Sequence, residues 1–422
     1  MPSTLYLDAA RMGQMTPSAQ WALQDFVRVA GEEGCTLYFE RFFQDGFTAW
    51  PASFQSRFPG LRSWGGIAEL KKTLAAYVAL GPDSRTLLAG RSTNLMKLAG
   101  RLLFRGGQSV LVTDLAWPSY QRILKREARK ADARLDRLQV RAGILRRAIS
   151  AEKFVKMIID RIFAKKACGV FIPEVSHDGI RFPVAEIVQE IRKSIPNTFV
   201  VVDGSQAFGQ VPLDLSRTPC DFYLGGCHKW LGSNLPLGVG FCPNPDTRSR
   251  IENECCRLLE CRKLDDPLLA FLQSIETGRH RRFTETVNLS PLFACRGALK
   301  DQATGGRIVS HFQTRKANAN LVRRIAPMTG WTPLVPDEEF RSACVLLRTM
   351  SSTVRVRCPG SLRERFHERG IALTCYDGGI VRLAMPSVPL SANEVGRLIQ
   401  ALALVNPHVR YYSPDKCEVV NG

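Results

Sequence analysis

Between residues 86 and 242, short apolar runs alternate with stretches of helical periodicity, and this alternation constrains the fold more than any other feature of the chain. The runs are Thr86–Ala89, Ser109–Thr113, Cys168–Ile172, Phe199–Asp203, Phe222–Gly225 and Leu237–Cys242. Their near-continuous apolar character predicts strands covered on both faces. Among the intervening segments, Val184, Ile187, Val188 and Ile191 recur at i, i+3, i+4 and i+7, the spacing of one helix face. Strands and helices in alternation predict an α/β fold on a mostly parallel sheet. After residue 300 the pattern changes. FRSACVLLR and STVRVRCP read as strands, CPGSLRERFHERG as a helix ending at Gly370, IALTCYDGGIVRLAMP as a hairpin and SANEVGRLIQALALV as a final helix. The expected organisation is an N-terminal segment (1–30) packing on the main domains, a large α/β domain (31–295) and a small α+β domain (296–422). A length of 422 residues suits two such domains.

Charge is the unusual part of the composition. Lys and Arg number 58 against 39 Asp and Glu, a formal net charge of +19. The excess gathers in 120–147, with ten Lys/Arg and three acids, and in 161–166 and 278–282. Such segments read first as a solvated basic face, and otherwise as a docking face for an acidic partner or carrier; no nucleic-acid-binding module accompanies them. Apolar residues at 45% supply a core and exclude a disordered chain. No apolar run approaches the roughly 18 residues of a membrane span, and the N-terminus lacks a secretory pattern. Thirteen cysteines without a disulfide framework fit a reducing, cytoplasmic setting. Cys255, Cys256 and Cys261 lie in an amphipathic helical pattern, and no metal site is expected.

The chemistry concentrates in Val201–Phe241. An apolar run ends in Asp203-Gly204, and a second ends in His228-Lys229 before a Gly-rich turn. Ligands of open α/β sheets bind outside the carboxyl ends of strands. Taken singly, Asp203 reads as a turn or cap residue and Lys229 as a surface amine. Together, 26 residues apart, they resemble the D-x-A-Q and H-K motifs of the pyridoxal-phosphate enzymes of the class V aminotransferase and cysteine desulfurase family. That resemblance implies fold type I, a seven-stranded type of sheet, pyridoxal 5′-phosphate as cofactor and a homodimer with its active site at the interface. It implies that Lys229 holds the cofactor aldehyde as an imine and later moves the Cα proton. Asp203 would pair with the pyridine nitrogen, and Gln206 would donate to the phenolic oxygen.

By the same resemblance, Ser92 and Thr93 occupy the phosphate-binding turn, with His228 reaching the phosphate. Gly226 stands where the family often has Ser. Trp117 covers one ring face, and Ser205 stands on the other where the family usually has Ala. His177 replaces an Asn near the phenolic oxygen and is a candidate catalytic residue. Thr286, two before Asn288, corresponds to a residue that reaches the neighbouring subunit's phosphate, and the basic stretch TGRHRRF lies just upstream. Arg382 corresponds to the clamp on the substrate carboxylate, which suits its planar fork. A desulfurase also needs a mobile Cys upstream of that Arg, but Cys375 is only 7 residues before it and Cys358 is 24 before, at an expected strand end. The resemblance thus favours an aminotransferase-like enzyme acting on an amino acid or related amino carboxylate. A β-lyase or desulfurase is the alternative, racemisation shares the same first steps, and a basic nucleic-acid- or partner-binding protein on the same fold is the non-enzymatic alternative.

Overall fold

The computed structural model describes residues 4–34, 40–105, 109–261, 263, 266–278, 285–302 and 307–406. They form two compact units, one comprising 12–310 with 336–342 and the other 4–11, 311–335 and 343–406. The expected boundary at 295–296 falls inside the helix Ser290–Gln302, and the division comes near residue 310 instead.

Strands are numbered along the chain, β1 being Leu5–Tyr6 of the smaller unit. The larger unit holds β2 (Thr86–Ala89), β3 (Ser109–Thr113), β4 (Arg134–Leu138), β5 (Gly169–Pro173), β6 (Phe199–Asp203), β7 (Phe222–Gly226) and β8 (Gly238–Phe241). They make one seven-stranded sheet in the order β2-β8-β7-β6-β5-β3-β4. Only β8 runs against its neighbours. Every residue of β2, β3, β5, β6, β7 and β8 is buried. Successive residues of one strand enter different cores: Val170, Ile172, Val200 and Val202 on one face, Phe171, Phe199 and Val201 on the other. Cover on both faces is why these strands read as continuous apolar runs rather than alternating ones.

β4 differs, with the sequence RLDRL and a partly exposed pattern. It pairs only with β3 and ends the sheet. Exposed Arg134 and Arg137 suit an edge strand, where charge discourages further strand pairing.

Register brings the functional segments together. Asp203 ends β6 in line with Pro173 of β5 and Leu224 of β7, and Gly226 pairs with Gly238. A Cβ on Gly238 would lie 2.5 Å from the Ser92 backbone nitrogen. The missing side chain lets the helix Ser92–Phe104 begin directly against the sheet.

In the smaller unit, β9 (Trp331–Pro333), β10 (Cys344–Thr349), β12 (Thr374–Tyr376) and β13 (Ile380–Ala384) form an antiparallel sheet in the order β12-β13-β10-β9. β1 pairs in parallel with β11 (Ile371–Ala372). The expected hairpin and the final helix, Ala392–Val405 with its capping box, are present. STVRVRCP is not a strand: Ser352–Arg355 is a helical turn. Val354 is buried but Val356 is 85% exposed, so the alternation that suggested a strand has no buried face behind it. No helix among the described residues is long and apolar enough to cross a membrane.

Gly238→Ala is expected to push the start of the helix Ser92–Phe104 off the sheet and destabilise the protein by about 1–3 kcal/mol, as overpacking does. Urea unfolding should show a lower midpoint at unchanged slope; an unchanged midpoint would refute the close packing.

Candidate active site

The site forms where the parallel strands end. Asp203 closes β6 with 5% of its surface exposed, and its Oδ1 accepts a hydrogen bond from the Ser205 backbone N–H at 2.9 Å. Burial pushes its carboxyl above the usual range, opposed by hydrogen bonds from Ser205 and by the charges of Lys229 and His177. Behind the Asp203-Gly204 turn lies Tyr223, whose hydroxyl donates to Glu174 Oε2 at 2.8 Å. A Cβ on Gly204 would sit 2.3 Å from the Tyr223 hydroxyl oxygen, so this turn needs glycine to pack on the ring.

His228 and Lys229 follow the end of β7. Their carbonyls are pinned, His228 O by the Gly13 N–H at 2.8 Å and Lys229 O by the Gly232 N–H at 3.0 Å. Gly232 has φ +81°, a conformation that favours glycine, and a Cβ on Gly13 would overlap the Lys229 carbonyl. The two glycines fix the direction in which Lys229 leaves the chain. Burial, then the neighbouring Lys229 and Arg91 cations, lower His228 to about 4. Its Nδ1 is buried with no hydrogen-bond partner among the described residues. A Cβ on Gly226 would lie 3.0 Å from that ring and 3.8 Å from Ser92 Oγ, a physical reason for glycine at a position where the resembled family often carries Ser.

Ser92 and Thr93 open the helix Ser92–Phe104. The residue ahead of them is Arg91, and no side chain caps the helix. Its first-turn N–H groups therefore face the site with the positive end of the helix dipole, the arrangement that binds anions. The turn is held from outside by Asp266, which accepts from the Gly90 N–H at 2.9 Å and from Asn94 Nδ2 at 2.5 Å. Tyr120 ties this turn to the Asp203 loop: its hydroxyl lies 3.0 Å from Ser92 Oγ and 3.5 Å from Ser205 Oγ. Gln206 is oriented by Trp230, whose indole N–H donates to Oε1 at 2.9 Å. Holding the amide oxygen there makes the NH₂ group the donor end. Trp117 stands at the helix start Pro118–Lys130, 43% exposed, with its ring 5.2 Å from His177 and edge-on to it.

The larger unit thus assembles Ser92, Thr93, Asp203, Ser205, Gln206, His228 and Lys229, with Trp117 and His177 adjoining. Thr286 is exposed and makes no side-chain hydrogen bond among the described residues. Upstream of it, 279–283 of the basic stretch lie outside the described residues. Arg382 belongs to the smaller unit, on β13, and is buried. There Nη2 lies 3.1 Å from Thr374 Oγ1 and 3.5 Å from Asp8 Oδ1, and the guanidinium sits over the Tyr376 ring at 5.9 Å. Cys375, 9% exposed within β12, is a core residue and not part of a mobile loop.

An uncapped helix start, a buried and unpartnered histidine nitrogen, a pinned lysine and a buried carboxylate make a donor set that fits a phosphorylated, aldehyde-bearing pyridine. The model of the aminotransferase class-V family matches residues 76–243 of this chain. The matched segment holds the central sheet and the candidate site, and the likeness to that family is a likeness of this part of the chain. Members of that family are pyridoxal-phosphate enzymes, and the fit of the donor set agrees with that cofactor. Isopenicillin N epimerase of Streptomyces clavuligerus is 31% identical over 233 residues, 54% of this chain and 57% of that protein. Hercynylcysteine sulfoxide lyase of Schizosaccharomyces pombe is 28% identical over 126 residues, 29% of this chain and 30% of that protein. The chain thus spans little more than half the length of the curated epimerase it matches. Among solved structures, the cysteine desulfurase CsdA of Escherichia coli superposes with a TM-score of 0.70 at 13% identity, covering 96% of each chain, a likeness of fold.

The composition of the anion site missed one cation and two aligning groups. Arg91, Tyr120 and Trp230 act through neighbours distant in sequence; only Arg91, beside Ser92, carried a local signal.

His228 supplies a direct test. Its ring should titrate near pH 4 by NMR in the ligand-free protein, not near the ordinary 6.5. Because the folded value is depressed, the stability it contributes is present above pH 6.5 and lost as pH falls toward 4. An anion at the helix start should raise the value; a ring titrating near 6.5 without ligand would contradict the buried, cation-flanked environment.

Proposed function

We propose that the protein is a pyridoxal-phosphate-dependent enzyme that removes the Cα proton of an amino acid or related amino carboxylate and returns a proton to the same carbon, an epimerase or racemase. The observation that carries the cofactor reading is the convergence of buried Asp203 and pinned Lys229 beside the uncapped helix start at Ser92. Similarity to isopenicillin N epimerase supports the direction of the reaction and favours it over the aminotransferase-like reading of the sequence.

When bound, the cofactor supplies an electron sink for the charge left at Cα. The chain's residues do the rest. Ser92, Thr93 and the N–H groups of their helix turn hold the phosphate, with His228 as a further donor. Asp203 faces the ring nitrogen and favours its protonated form. Gln206, oriented by Trp230, donates to the phenolic oxygen, and Trp117 covers one ring face. Lys229 would hold the cofactor aldehyde through its Nζ, and the same amine would carry the Cα proton. His177, beside Trp117, is a second acid or base for that proton. Arg382 pairs with the substrate carboxylate, and the protein works as a homodimer to which Thr286 contributes. An acidic partner on the basic 120–147 face remains part of this reading.

Elimination is the second reading, favoured by the similarity to hercynylcysteine sulfoxide lyase. Incubating the cofactor-loaded enzyme with a panel of amino carboxylates in D₂O separates the outcomes. Deuterium at Cα in both stereoisomers, without keto acid or ammonia, is the expected result. Ammonia with a keto acid would assign elimination, and stoichiometric conversion to the aminated cofactor would assign transamination.

A further inference from the structure

His177 stands at the tip of a turn that is held on both flanks. The chain reverses over Ser176, His177, Asp178 and Gly179: the Gly179 N–H donates to the Ser176 carbonyl at 2.9 Å, and the Ser176 N–H to the Ile180 carbonyl at 2.8 Å. Gly179 has φ +89°, a backbone conformation that favours glycine. The Asp178 carboxylate accepts from Ser176 Oγ at 2.5 Å and from Arg141 Nε at 2.7 Å. From the other flank, Ser342 Oγ donates to the Gly179 carbonyl at 2.7 Å. Ser176, Asp178 and Ser342 are each at most 4% exposed, so water does not compete for these bonds. His177 is the one residue of 169–180 that is not buried.

Arg141 is itself placed by the sheet. Its backbone N–H and that of Val140 donate to Asp114 Oδ1, at 3.2 and 3.0 Å. Asp114 directly follows β3, and the same short connection carries Trp117, whose ring lies 5.2 Å from His177 and edge-on to it. Arg141 therefore joins the loop that carries Trp117 to the turn that carries His177. Its bond to Asp178 is charge-assisted, the stronger kind of hydrogen bond. All of these residues belong to the larger unit.

We infer that Arg141 and Asp178 are positioning residues that hold His177 beside Trp117. This rests on the reading of His177 as a second acid or base. With two such groups, one removes the Cα proton on one side and the other delivers a proton on the opposite side. An amine acting alone from a fixed position returns the proton to the side it came from. Inversion then needs the second group at a set place, and a displacement of about 1 Å can slow a step by about a hundredfold. The Arg141–Asp178 bond supplies that constraint through the turn.

The test uses two variants. Arg141→Met removes the donor from a side chain that is 35% exposed. Asp178→Asn is nearly isosteric but leaves one accepting oxygen for two donors. The ligand-free full chain, labelled with ring-¹³C histidine, is first read by NMR. The His177 signal is assigned from His177→Gln, and the part of its shift caused by the Trp117 ring is measured from Trp117→Leu. Most of that Trp117-dependent shift is expected to disappear in both variants; a shift equal to wild type in both would overturn the inference. The cofactor-loaded variants are then followed in D₂O with the amino carboxylate of the panel above that exchanges fastest. Formation of the opposite isomer is expected to fall by about a hundredfold, while deuterium enters the starting isomer at close to the wild-type rate. Equal falls in the two rates would also overturn it, because a merely structural pair moves them together. His177→Gln keeps this separate from the proposed function. If that variant inverts its substrate as wild type does, the reading of His177 as an acid or base fails, and the NMR result still decides whether the pair places the ring.

Discussion

A carboxylate sealed at the end of a buried strand is costly until its charge is answered, and Asp203 imposes that requirement on everything around it. The sheet brings it there, since β6 is flanked by β5 and β7 and covered on both faces. The Ser205 N–H, the Ser205 hydroxyl, Lys229 and His177 each oppose the effect of burial. Gly204 packs against Tyr223 and leaves no room for a side chain to shift the turn. Lys229 is in turn fixed by bonds to the carbonyls of residues 228 and 229. The candidate site is therefore one electrostatic unit, in which a buried anion and a positive helix end are held apart by the sheet that carries both.

Much of this was legible in the chain. All six apolar runs became strands because burial on both faces leaves a signal in every residue. The Asp203 and Lys229 pair was legible because strand ends fix spacing in sequence as well as in space. β4 was weakly marked because an edge strand needs only one paired side, and RLDRL obeys solvent more than packing. Val354 and Val356 misled because alternation alone does not say whether a face is covered. Tyr120 and Trp230 were out of reach: their roles exist only through contacts with Ser92, Ser205 and Gln206, whose spacing from them follows no local period. Gly226, a departure from the family pattern, became intelligible once the His228 ring was seen against it.

The excess charge also has a partial physical account. Helices between parallel strands run back along the sheet, so their C-termini gather at the end away from Asp203 and Lys229. Arg101, Arg129, Lys130, Lys165, Arg192 and Lys193 all occupy last helical turns there. Cations in that position oppose the negative end of the helix dipole. Part of the +19 thus serves helix ends at the opposite pole from the candidate site, and the cation beside the site that matters most is Arg91, next to His228.

The central claim is that Lys229 carries the cofactor. Borohydride reduction of the protein loaded with pyridoxal 5′-phosphate, followed by peptide mass mapping, tests it most directly. The account predicts a stable pyridoxyl adduct on the peptide containing Lys229 and on no other. An adduct confined to a different lysine, or no adduct in protein that has bound the cofactor, would contradict it.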